Sequence, residues 1–127
     1  MSTTEQLQSL LYDLDDAFSQ QIEGSLIASS DGFLVAHTLD EANDAKRVAA
    51  MVATTVGVSR RMADTLDAGA LKETSISADH RIVQLYLVGE RGALAVVAKE
   101  GANIALINMK AREQVGEAQK LLQGAFA

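Results

Sequence analysis

No cysteine occurs in the 127-residue chain. That absence excludes disulfides, thiolate catalysis and cysteine-ligated zinc, and it fits a cytoplasmic protein. Tryptophan is absent too, and aromatics make up only 4%. The core must therefore be built from Leu, Ile, Val, Ala and Met, and stacking platforms for single-stranded nucleic acid are scarce. Eleven basic side chains face 17 acidic ones, for a formal net charge of −6. Duplex DNA binding runs on phosphate neutralisation by Lys and Arg, so no nucleic-acid partner is expected. The N-terminal Met1-Ser2-Thr3-Thr4-Glu5-Gln6 is polar and has no basic residue, unlike a signal peptide. The apolar run Ala93 to Ala98 is far too short to span a bilayer, so no membrane partner is expected. With only two histidines, His37 and His80, there is no His-x-x-x-His pair for zinc. No Asp-x-Asp-x-Asp-Gly loop is present for calcium. Neither a metal nor a cofactor is expected.

What is present fits one domain over 1–127, with 48% apolar and 22% charged residues. A chain of this length buries roughly 65–70% of its unfolded surface. Leu7, Leu10, Leu11, Leu14 and Phe18 recur at 3–4 residue spacing and predict an amphipathic helix ending near Gln21, capped by Thr3 or Thr4. Leu26 to Ala28 and Phe33 to His37 flank Asp31-Gly32, a strong hairpin signal. The polar break Asp40-Glu41-Ala42-Asn43-Asp44 offers several caps for a helix from Ala45 to about Leu66. Leu71 to Ser77 reads as a polar edge strand. Arg81 to Val88 reads as a strand rich in β-branched and aromatic residues, and Ala93 to Ala98 as a central one. Ile104, Ile107, Ala111, Val115, Ala118 and Leu122 predict a last helix to about Gln123. The result is an α+β fold of order α-β-β-α-β-β-β-α, with a five-stranded antiparallel sheet sandwiched by helices.

Candidate chemistry is thin. Ser29, Ser30, Asp31 and His37 lie close in sequence, but a nucleophilic serine needs a base in hydrogen-bond reach and an oxyanion hole. Hairpin geometry pairs His37 with a residue near Gly24 or Ser25, several residues from Ser29. No Gly-x-Ser-x-Gly elbow occurs. Gly89-x-x-Gly92 opens a strand and lacks the Lys-Ser/Thr of a phosphate-binding loop. The chain reads as a non-enzyme.

The middle helix carries the more informative pattern. Val48, Val52, Thr55, Ser59, Met62 and Leu66 form one stripe, read as the inward face. Ala50, Ala53, Thr54 and Gly57 form a second stripe of small residues. Small side chains let helix axes approach closely, and Gly57 costs about 1 kcal/mol of helix propensity, so this ridge is expected to pack on a partner. Two basic pairs, Lys46-Arg47 and Arg60-Arg61, flank it about 21 Å apart at ~1.5 Å per residue and are candidates for partner binding.

In this order, Gly24-Ser25-Leu26-Ile27-Ala28-Ser29-Ser30-Asp31-Gly32-Phe33-Leu34-Val35-Ala36, then Gly92-Ala93-Leu94-Ala95-Val96-Val97-Ala98, then Asn103-Ile104-Ala105-Leu106-Ile107 resemble the Roadblock family, the dynein light chain/MglB-type domain. The resemblance covers nearly the whole chain and is nearest the prokaryotic single-domain members. It implies a Roadblock/profilin-like fold and a non-catalytic homodimer that regulates a separate Ras-like small GTPase through its switch region. It also implies that the strand after the middle helix pairs with its own copy while the two middle helices pack together. Leu71, Glu73 and Ile76 occupy that strand, and Ala50, Ala53, Thr54 and Gly57 that helix. Arg60 or Arg61 would be the residues to serve as an arginine finger. Two other readings compete. One is a small-ligand sensor of PAS or profilin type, whose polar groups would be Gln84 and Tyr86 unless these face solvent. The other is a motor or assembly light-chain subunit.

Overall fold

The computed structural model describes residues 1–41 and 44–126. The elements are α1 (Thr3–Ala17), β1 (Ile22–Ser29), β2 (Leu34–His37), α2 (Ala45–Thr65), β3 (Glu73–Ser77), β4 (Arg81–Val88), β5 (Gly92–Lys99) and α3 (Ile104–Phe126). Their order is the one predicted. Ala42 and Asn43, two of the expected cap positions, lie outside the described residues.

Local chemistry sets the boundaries. Ser2, not Thr3 or Thr4, caps α1: its Oγ accepts the Glu5 N–H at 3.1 Å. The helix stops at Ala17 rather than near Gln21, because the Phe18 carbonyl takes the N–H groups of Gln21 and Ile22. β1 accordingly starts earlier than its apolar run indicates. Gly24 permits this, since a Cβ there would lie 2.8 Å from Leu39 Cδ2. Asp44 caps α2 through the Arg47 N–H at 3.2 Å. Asn103 caps α3 through the Leu106 N–H, also at 3.2 Å.

The sheet runs β2-β1-β5-β4-β3, antiparallel throughout. The predicted β1–β2 hairpin and the edge position of β3 are present. α1 and α3 cover one face, over Ile22, Ile27, Tyr86, Leu94, Val96 and their neighbours. α2 alone covers the other, over Leu26, Ala28, Leu85, Ala93 and Ala95. One helix cannot roof five strands. It packs on β1, β2, β5 and part of β4, and leaves β3 nearly bare.

Candidate functional site

The side of α2 that meets the sheet is rotated from the expected one: Val52 is buried and Val48 packs half-buried on the core as expected, but the rest of the stripe is displaced. Ala45, Ala49, Val52 and Val56 are buried. Thr55 and Ser59 are half-buried, while Met62 is 59% and Leu66 70% exposed. The partners explain it: Ala28, Ala93 and Ala95 lie beneath the helix, so alanines on both sides let it sit close. The larger residues are pushed outward. Met51 is 59% exposed and Val58 43%, and with Met62 they follow one another at helical spacing. Between them, Thr54 and Thr55 fold their hydroxyls back on the carbonyls of Ala50 (3.0 Å) and Met51 (2.8 Å), and Ser59 does the same to Thr55 (2.8 Å). Those hydroxyls are satisfied within the helix, so the outer side is more apolar than its letters indicate.

The small stripe is partly used by the chain itself. A Cβ at Gly32, which has φ +91°, would lie 3.4 Å from Ala50 Cα and 3.8 Å from Ala53 Cβ. Ala50 and Ala53 thus make room for the β1–β2 turn, and Ala53 is half-buried. Ala50, Thr54 and Gly57 remain exposed, and nothing lies within 4 Å of a Cβ placed on Gly57.

The basic pairs split. Lys46, Arg47 and Arg61 are exposed. Arg60 is half-buried and donates from Nη2 to the Gly89 carbonyl at 3.4 Å. Lys46 and Arg47 stand in the first turn of α2, where the helix dipole disfavours cations.

Leu71 precedes β3 and packs, half-buried, against the α2-side core. Glu73 begins the strand and receives both its contacts from Arg112 of α3, at 2.9 and 3.1 Å. Ile76 stands opposite Val83, on the face that α2 leaves open, and is 43% exposed. Ser75 and Ser77, on the opposite face of the strand, are exposed too. The exposed outer side of α2 and the bare strand β3 therefore flank one uncovered strip of sheet.

Other candidates have local explanations. Ser29 Oγ accepts the Phe33 N–H at 3.0 Å and closes the turn. His37 stands opposite Leu26, one step from the expected partner, because the ladder is bulged between Ile27 and Ala28. Gln84 and Tyr86 do not face solvent. Both are buried and both donate to Asn108 Oδ1 of α3, Gln84 at 3.1 Å. Burial pushes the Tyr86 phenol well above its ordinary value, with the Glu73 charge adding to the effect. Among the described residues no group of three or more His, Asp or Glu side chains is placed to hold a metal. No helix among them is long and apolar enough to cross a membrane.

This architecture can be set beside known proteins. The family model for the Roadblock/LC7 domain matches residues 11–98. The chain belongs to the Roadblock/LC7 domain family. Among curated relatives, the uncharacterized protein MJ0310 of Methanocaldococcus jannaschii is 31% identical over 91 residues, covering 72% of this chain and 79% of that one. Among solved structures, Myxococcus xanthus MglB superposes with a TM-score of 0.88 at 13% identity, over 98% of this chain and 92% of that one. A Roadblock/LC7 domain from Streptomyces avermitilis gives 0.82 at 18% identity, over 91% and 97%. At such identities the structural likeness speaks for the fold alone.

Proposed function

We propose that the chain is a non-catalytic homodimer that regulates a separate Ras-like small GTPase. The observation that carries this reading is the uncovered strip between the outer side of α2 and β3. Met51, Val58, Met62 and Ile76 expose apolar surface there, beside a strand with one unpaired edge. An open edge of this kind is a template for another strand, and a second copy supplies both a strand and a helix of matching character. Large apolar residues, rather than the small ridge of Ala50, Ala53, Thr54 and Gly57 alone, then form the seam. Leu71 and Ile76 line its strand side, while Glu73, expected there too, turns to the other face and Arg112 of α3. Lys46, Arg47 and Arg61 stay on the outer surface for the GTPase.

The chemistry left to such a dimer is positioning. A GTPase brings its own nucleotide and catalytic residues, and a docked surface biases its switch segments toward one state. Arg60 is poorly placed as an arginine finger, since its guanidinium lies against the Gly89 carbonyl.

Affinity capture from the native host, in the presence of a GTP analogue, followed by single-turnover GTP hydrolysis by the captured protein, tests the reading. The expected result is a small GTPase whose hydrolysis or nucleotide release changes when the dimer is added. Capture of no GTP-binding protein, or a rate indifferent to the dimer, overturns it.

A further inference from the structure

The backbone groups on the outer side of an edge strand face solvent unless something occupies them. At β2 something does. The Thr38 N–H donates to the Ser25 carbonyl at 2.9 Å, and Leu26 stands opposite His37. Backbone groups alternate in direction along an antiparallel strand, so His37 turns both its N–H and its C=O away from β1. Gln8 of α1 takes both. Its Nε2 donates to the His37 carbonyl at 2.6 Å, and its Oε1 accepts the His37 N–H at 3.3 Å. A carboxamide carries the same donor and acceptor as a peptide group, so the side chain satisfies His37 as one residue of an added strand would.

We propose that Gln8 is a plug that closes the β2 edge to strand addition by a second copy of this chain. Self-association through the sheet is then confined to β3 and ends at a pair. The one-sidedness rests on the pairing proposed above; the closure of β2 does not. Two features act in the same direction. β2 has only four residues, and its ladder with β1 is bulged between Ile27 and Ala28; short and bulged strands are poor templates. Without the plug, each protomer carries two competent edges. Head-to-tail contacts between unlike edges do not close on themselves and build open chains.

The test is Gln8→Ala, read by sedimentation velocity over a concentration series and by hydrogen exchange at the His37 amide in dilute solution. The expected result is His37 exchange at least ~10-fold faster than in the parent, since its protecting acceptor is gone, and species heavier than the parent's at high concentration. Unchanged His37 protection overturns the proposal, and so does a folded variant whose mass distribution matches the parent's. Should Gln8→Ala not fold, Gln8→Asn, one methylene too short to reach, carries the same two readouts. A parent chain that sediments as a monomer sinks the pairing proposal alone. The plug then requires that Gln8→Ala convert this monomer into larger species.

Discussion

β2 and β3 bound the same sheet, yet the chain treats them differently. β2 is short, bulged, pressed between α1 and α2, and stopped at His37 by the Gln8 carboxamide. β3 pairs with β4 along its whole length without a bulge, and no helix roofs it. Beyond that ladder it is held by the ion pair of Glu73 with Arg112 of α3, a largely solvated pair worth little by itself. The same contrast runs through the helices. α1 buries Leu7, Leu11 and Leu14 almost completely, whereas α2 turns Met51, Val58 and Met62 outward. The α1/α3 side is not free of exposed apolar groups, since Tyr12, Leu106 and Met109 are exposed there, but only on the α2 side do such groups stand beside an open strand edge; under the proposed pairing, that is the side a second copy covers.

The largest effect that would break this contrast is on association. Val58→Glu with Met62→Glu places two carboxylates on the outer side of α2. The dimer dissociation constant is expected to rise 100-fold or more, about 3 kcal/mol, measured by sedimentation equilibrium, with the far-ultraviolet circular dichroism unchanged. Next comes a contrast in protomer stability. Leu11→Ala, at a fully buried site, is expected to cost about 3 kcal/mol in urea unfolding. Ile76→Ala, measured in dilute solution where pairing is absent, is expected to cost under ~1 kcal/mol. Equal costs would mean that β3 is as enclosed as α1.

Smaller effects sharpen the picture. Asp67 leads from α2 toward β3 with φ +53°, a left-handed conformation unfavourable to a residue with a Cβ. Asp67→Gly is expected to gain about 0.5 kcal/mol, with relief of strain partly offset by the freer unfolded chain, read as a higher Tm. On the α1/α3 side, burial pushes the Asp15 carboxyl up despite hydrogen bonds from Thr38 and Ser25. A carboxyl raised in the folded state destabilises the fold while ionised in both states, and the penalty shrinks as pH falls through the raised value toward the ordinary one. Asp15→Asn, which keeps an acceptor for Ser25, is therefore expected to raise Tm at pH 7, by an amount that narrows on acidification. Glu23 has the opposite sign: Arg81 holds its carboxyl below the ordinary value, so that contribution is present at neutral pH and lost in acid. A constant Asp15→Asn difference across the pH series would remove the carboxyl from the α1 contact.

Much of this was legible in the sequence. Period-two and period-3.6 patterns gave the element order, and for β4 both boundaries, Arg81 and Val88. Turn glycines located the hairpins, and the polar letters of LKETSIS marked the open edge. The inward face of α2 was legible only in part. It depends on alanines of β1 and β5 that meet the helix only in three dimensions, and side-chain size, which put Val48 and Val52 inside correctly, wrongly added Met62 and Leu66 in place of Ala45, Ala49 and Val56. The outer apolar side could have been found as Met51, Val58 and Met62 at steps of seven and four, had the intervening threonines been recognised as satisfied within the helix. Gln84 and Tyr86 lie on a strand covered on both faces, so alternation alone could not expose or bury them. Gln8 sits among leucines as an ordinary polar residue, and its contact with a backbone 29 positions away leaves no local trace.

Sedimentation equilibrium of the parent chain at micromolar concentration, alongside Val58→Glu/Met62→Glu, tests the central claim most directly. A parent mass of twice the 13.5 kDa chain, falling to a single chain in the variant, is the predicted result. A parent that sediments as one chain, or a variant that stays paired, contradicts it.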